Sequence, residues 1–169
     1  MFNIGEMIVY GTEGVFCVSD YANSPIDKHD ERVFYILKPA FAGECSFIYA
    51  PSKNGRIKMR AVISVDEANA FIKGIPDIPS LEVEQEKKRR QAYKDAMNDA
   101  DLDVFVKIIK AVRQKREDCV KNKKKLSESD TDYEKKAKFC LYGELATALG
   151  IGFNEVENYI VSIIGDGHI

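Results

Sequence analysis

The sequence predicts an α+β protein: a small, strongly bent antiparallel β-sheet or barrel first, then an all-α helical bundle. Three observations carry this reading. Short runs of branched and aromatic residues, broken by turn residues, fill the N-terminal third. From Ser64 onward the apolar residues recur instead at three- and four-residue spacing. Between the two patterns, Pro76-Asp77-Ile78-Pro79-Ser80 is the best linker in the chain. The expected layout is a β domain over 1–63, a short helix and linker over 64–79, and a helical domain over 80–169.

Met7-Ile8-Val9-Tyr10 is the first strand, and Gly11-Thr12-Glu13-Gly14 turns the chain into Val15-Phe16-Cys17-Val18 as a hairpin. Ser24-Pro25 and the charged stretch from Asp27 to Glu31 read as an exposed loop. Arg32 to Leu37 and Cys45 to Tyr49 supply two more strands. Asn54-Gly55 is a turn signal ahead of a fifth, Arg56 to Arg60. Five consecutive strands with no helical pattern between them cannot make parallel crossovers, so an antiparallel sheet is expected.

Ser64 and Glu67 then form a capping box for a helix from Val65 to Ile72, ended by Gly74 and Pro76. Ser80 is the expected N-cap of the next helix. Leu102, Phe105, Val106, Ile109 and Val112 share one helix face. Thr131 and Glu134 read as a second capping box, ahead of a stripe of Phe139, Tyr142, Leu145, Ala146 and Leu149 that Gly150 and Gly152 close. Phe153, Val156, Ile160 and Ile163 make the inner face of a last helix. These stripes read as core.

The 169 residues suffice for one ordinary domain or two small ones, and 45% apolar with 31% charged residues indicates a folded, soluble chain. Cys17, Cys45, Cys119 and Cys140 form no CxxC pair, and His29 and His168 cannot complete a thiolate zinc site. Reduced thiols, no metal and no cofactor are expected. The N-terminus lacks a signal-peptide pattern and no run is long enough to span a bilayer, so a cytoplasmic protein without membrane association is expected. No GxxxxGK[ST] loop, GxSxG elbow or HExxH helix is present, and Asp101 with Asp103 reads as helix-start charge, so an enzyme is not expected.

A net charge of -2 gives no global pull on nucleic acid, so polyanion binding needs local clustering. Residues 87–138 hold seventeen basic and ten acidic side chains, a net of +7, whereas 75–86 and 139–169 carry -4 each. Lys87, Lys88, Arg89 and Arg90 form one cluster, and Lys121 with Lys123, Lys124 and Lys125 forms another. Such runs are more often solvated surface than a binding face. Contiguous residues on a helix point in several directions, so only about two of the first cluster can meet one phosphate strand. Phosphate contact without base readout is the expected mode.

Gly5-Glu6-Met7-Ile8-Val9-Tyr10 with Gly14-Val15 resembles the opening motif of the CarD family of bacterial transcription regulators. That motif is shared by the polymerase-interacting domain of the transcription-repair coupling factor. Ile48-Tyr49-Ala50-Pro51 with Asn54 looks like the family's fourth strand and loop, and Arg60 sits where the family usually keeps an arginine. Lys88-Arg89-Arg90, Ala100-Asp101 and Gly143-Glu144-Leu145-Ala146 extend the resemblance, in order, over nearly the whole chain.

The resemblance implies a Tudor-like bent sheet that binds the RNA polymerase β subunit by strand addition, with Phe47, Ile48, Tyr49, Pro51 and Arg60 as contacts. Side-chain alternation leaves open whether Phe47 and Tyr49, or Ile48, are simply core. The resemblance further implies a helical domain at promoter DNA, with a tryptophan wedge at the minor groove and adjacent basic residues on phosphates; with the charge clusters, the expected DNA contacts are Lys87, Lys88, Arg89, Arg90, Lys123, Lys124 and Lys125. The chain has no tryptophan; Glu86 occupies the wedge position, Tyr93 is only a distant substitute aromatic, and Tyr49 stands where relatives often carry arginine. The expected function is a non-enzymatic regulator acting on promoter-complex stability. The alternative is a protein-binding adaptor with no DNA role. An exposed β edge also permits strand-swapped homodimers.

Overall fold

The computed structural model describes residues 1–23, 32–41, 47–53 and 55–169. The chain is α+β and divides into two compact units, Met1–Val62 and Ile63–Ile169.

Unit 1 holds β1 (Met7–Tyr10), β2 (Val15–Ala22), β3 (Phe34–Pro39), β4 (Ile48–Pro51) and β5 (Met59–Ala61). All neighbours are antiparallel, in the order β4-β3-β2-β1-β5. The sheet is open, so the barrel alternative is set aside: β4 and β5 are its two edges. The third strand starts later than expected and the fifth is reduced to three residues. Period-2 alternation sends Ile8, Tyr10, Phe16, Val18, Tyr35, Leu37 and Ala50 to one core face. A β-bulge between Val18 and Asp20 shifts the β2–β3 register. Gly11 makes the β1–β2 turn at φ +51, where a side chain would run into Ile57. The segment before β1 is held by two tyrosines: Phe2 N–H donates to Tyr35 Oη at 2.9 Å, and Tyr21 Oη donates to the Phe2 carbonyl at 2.8 Å. The expected loop at Ser24-Pro25 and 27–31, the start of the fourth strand at Cys45, and Asn54 lie outside the described residues.

Unit 2 holds, among the described residues, α1 (Val65–Gly74), α2 (Glu86–Met97), α3 (Leu102–Lys121), α4 (Glu128–Leu149) and α5 (Val156–Ile164). The capping box of α1 forms as the sequence indicates: Ser64 Oγ accepts from Glu67 N–H, and the Glu67 carboxylate accepts from Ser64 N–H. After α1 a 3-10 turn carries Pro76, and Lys110 of α3 reaches back to donate to the carbonyls of Ile75, Pro76 and Ile78.

Two helix starts differ from expectation. Ser80 caps nothing; α2 begins at Glu86, because residues 81–85 run beside α3, tied by Leu81 N–H to the Lys107 carbonyl at 3.1 Å. Thr131 and Glu134 do not open α4. Ser127 is the N-cap, its Oγ accepting from Asp130 N–H at 3.1 Å, and Glu134 is held by Arg116 instead. The expected stripes are otherwise inside: Phe105, Val106, Ile109 and Val112 on α3, Tyr142, Leu145 and Ala146 on α4, and Val156 and Ile160 on α5 are buried. Leu102, Phe139, Leu149, Phe153 and Ile163 are only partly covered. No helix among the described residues is long and apolar enough to cross a membrane.

Candidate strand edge and basic helix face

Two surfaces collect the residues singled out by sequence, one in each unit. In unit 1 the surface is β4. Its pairing with β3 matches Leu37 to Ile48, Ile36 to Tyr49, Tyr35 to Ala50 and Phe34 to Pro51. Ser52 N–H donates to the Val33 carbonyl at 2.9 Å, which makes 33 and 52 a hydrogen-bonded pair. Antiparallel alternation then bonds Ala50 and Ile48 inward to β3 and turns the N–H and C=O of Tyr49 outward. Pro51 also falls at an outward position, where its missing N–H costs the sheet nothing. Among the described residues β4 pairs with β3 alone, so Tyr49 presents one free donor and one free acceptor along the sheet edge.

The side chains settle the alternation left open by sequence. Ile48 packs against the core and Ala50 is buried. Phe47 and Tyr49 are 50% and 48% exposed on the other face. Phe34 and Ile36, paired with Pro51 and Tyr49, are half-buried on that same face and extend the apolar strip onto β3. Arg60 does not join this strip. It lies on β5, at the opposite edge in pairing order, and its backbone is spent on Val9 of β1, since Gly11 N–H bonds the Lys58 carbonyl in the same register.

In unit 2 the surface is built on α2. Arg89, Tyr93 and Met97, at four-residue spacing, are its buried side. Lys87, Lys88 and Arg90 are exposed, and Lys87, Arg90 and Lys94 fall on one stripe at i, i+3 and i+7. Lys94 stands apart from the contiguous basic run, and only the helical register brings it onto this stripe. Arg89 must be removed from the phosphate set. Its side chain is 5% exposed and forms a bidentate pair with Asp130 of α4, Nε to Oδ1 at 2.7 Å and Nη2 to Oδ2 at 2.6 Å. Its Nη1 donates to the carbonyls of Val83 and Glu84 at 3.1 and 3.0 Å. The hydrogen bonds it donates to Asp130 hold the Arg89 guanidinium above its ordinary pKa. Burial pushes the Asp130 carboxyl up, but the bonds from Arg89 and Ser127 outweigh it, so its pKa lies below the ordinary value.

This pair also links two helix starts that the basic clusters adjoin. Asp130 lies in the first turn of α4, five residues beyond Lys125, and Arg89 lies in the first turn of α2 beside Lys87, Lys88 and Arg90. The pair therefore ties the start of α2, with its basic run, to the start of α4, which follows the α3–α4 connection. Lys123, Lys124 and Lys125 are exposed in the α3–α4 connection. There Lys123 takes a left-handed φ of 53° and closes α3 as a Schellman motif: Lys124 N–H bonds the Cys119 carbonyl and Lys123 N–H bonds that of Val120. Val120, 73% exposed, is an apolar side chain in the last turn of α3 just before them.

Tyr93 cannot serve as a substitute wedge. It is fully buried, stacked edge-on against Tyr133 at 5.5 Å between ring centroids, and burial pushes its hydroxyl pKa up to about 12. Its Oη has no hydrogen-bond partner among the described residues. Glu86 is exposed at the first position of α2. Among the described residues no group of histidine, cysteine or acidic side chains is arranged to hold a metal ion. No family model and no curated protein matches this chain.

Proposed function

We propose that the chain is a non-enzymatic transcription regulator that docks on the RNA polymerase β subunit through β4 and touches promoter DNA through unit 2. In this reading unit 1 is a Tudor-like polymerase-binding module and unit 2 a helical bundle. The observation that carries it is the β4 edge. An outward N–H and C=O at Tyr49 can add a strand, and Phe47, Tyr49 and the half-buried Phe34 and Ile36 supply apolar contact beside it. The resemblance of Gly5 to Tyr10 and of Ile48 to Pro51 to the CarD family selects polymerase as the partner.

The DNA contact rests on Lys87, Lys88, Arg90 and Lys94 with Lys123, Lys124 and Lys125, all exposed lysine or arginine. These can bind phosphates without reading bases, and modulation of open-complex stability follows from contact near the bubble rather than from a wedge. A second reading is favoured by one observation: α2 exposes no aromatic side chain, Tyr93 being buried. On that reading the protein is an adaptor that binds polymerase and a further protein.

A salt titration of binding to a promoter fork separates the two. Phosphate contacts give log Kd a steep linear dependence on log salt, about one unit of slope per phosphate neutralised. An adaptor gives no fork binding at low salt. Retention of the chain by an isolated β-subunit lobe is expected on both readings, and its absence would end both.

A further inference from the structure

The segment that Arg89 anchors carries charge of the opposite sign to the face beside it. Residues 81–85 run extended into α2, with Leu81 and Val83 half-buried and Glu82 and Glu84 exposed, as alternation requires. Two ties fix the segment. Leu81 N–H bonds the Lys107 carbonyl, and the buried Arg89 guanidinium holds the Val83 and Glu84 carbonyls. The Ser80 hydroxyl donates to Glu82 at 2.8 Å. Glu86 follows in the first turn of α2, four residues before Arg90 and so on the same helix face.

We propose that this strap is a built-in brake on polyanion binding: Arg89, by clamping its backbone, keeps Glu82 and Glu84 beside Lys87, Lys88 and Arg90 at the start of α2, where Glu86 adds a third carboxylate. The inference rests on the DNA contact proposed above and adds a regulatory element to it. A mobile acidic segment would swing away when phosphates approach. A clamped one cannot, so each bound duplex must accommodate its carboxylates within about a Debye length of the phosphates. The strap thus limits non-specific affinity and leaves the duplex one side of α2 from which to approach. It also explains why a guanidinium within a basic run is spent internally: a lysine there could not make the bidentate pair and hold two carbonyls as well.

The test is fluorescence-anisotropy binding of the full chain to a short duplex of arbitrary sequence at low salt. The strap variant is Glu82→Gln with Glu84→Gln, which keeps side-chain acceptors and leaves the Arg89 clamp intact. The control, Asp99→Asn with Asp103→Asn, makes the same change in net charge at two exposed positions of the α2–α3 junction, past the other end of α2, a helix of 12 residues and thus roughly 18 Å long. The strap variant is expected to bind roughly fivefold tighter than the parent, with the gain shrinking as salt rises, and the control less than about twofold. Equal gains in both variants, or none in the strap variant while the parent binds, overturn the brake and leave the DNA contact standing. No binding by the parent at low salt removes the DNA contact and the brake with it.

Discussion

Replacing Arg89 by alanine tests whether the basic run on α2 is one surface or two kinds of residue. Four hydrogen bonds disappear: two charge-assisted bonds to Asp130 and two to the carbonyls of Val83 and Glu84. Asp130 is left with its carboxylate 4% exposed and only Ser127 as side-chain donor. An uncompensated buried charge of this kind costs about 3–5 kcal/mol. With a denaturant slope near 1.5 kcal/mol per molar urea, the midpoint of unit 2 falls by about 2–3 M. Lys88→Ala, one residue away and exposed, should move the midpoint by no more than about 0.3 M. Arg89→Met combined with Asp130→Leu should recover most of the loss, since an apolar pair of similar size replaces both buried charges. The assay is urea unfolding followed by far-ultraviolet circular dichroism. An Arg89→Ala midpoint equal to that of Lys88→Ala would falsify the assignment and return Arg89 to the surface.

Three further outcomes follow from the same helical unit. Tyr93→Phe deletes a buried hydroxyl that has no partner, so stability should rise by about 1 kcal/mol in urea unfolding, and a loss of that size would contradict the environment described. Because burial raises the Tyr93 pKa to about 12, its contribution is intact below the ordinary tyrosine value near ~10 and is lost as pH climbs from there toward 12; the Tyr93→Phe chain should lack that alkaline slope. Asp130 has the opposite sign: its lowered pKa gives stability that is present above the ordinary aspartate value and lost as pH falls below it, and Asp130→Asn should flatten that acid limb in a pH series of thermal melts. Lys123→Gly relieves a left-handed residue at the end of α3 and should stabilise by about 0.5–1 kcal/mol, whereas Lys124→Gly should not.

The sequence carried the parts of the fold that depend on local rules. Ser64 and Glu67 cap α1 because both partners lie within one turn, and the α3 stripe is buried because four apolar positions repeat on one face. Errors arose where a local signal met a tertiary competitor. Thr131 with Glu134 has the spacing of a capping box, but Arg116 takes the carboxylate and Ser127 supplies the cap one turn earlier. Ser80 looks like a cap, yet the chain stays extended because Leu81 and Arg89 tie it down. At β4, Phe47, Ile48, Tyr49 and Ala50 are all apolar, so alternation defined two faces without saying which is inside. The choice came from pairing Ala50 with the buried Tyr35. Arg89 was read as surface because it stands in a basic run. The available signal was its four-residue spacing to Tyr93 and Met97, which places a charge in an apolar stripe and calls for a buried partner.

The most direct test is the affinity of the polymerase β-subunit lobe for the chain carrying Tyr49→Pro, set against Tyr49→Ala. Position 49 turns its N–H away from β3, so proline there breaks no bond within the sheet while deleting the donor an added strand must use. Proline should therefore weaken lobe binding at least tenfold beyond the alanine variant, with both chains keeping the parent's unfolding free energy to within about 0.5 kcal/mol. Equal affinities for the two variants, with the fold intact in each, would show that the partner does not pair with β4.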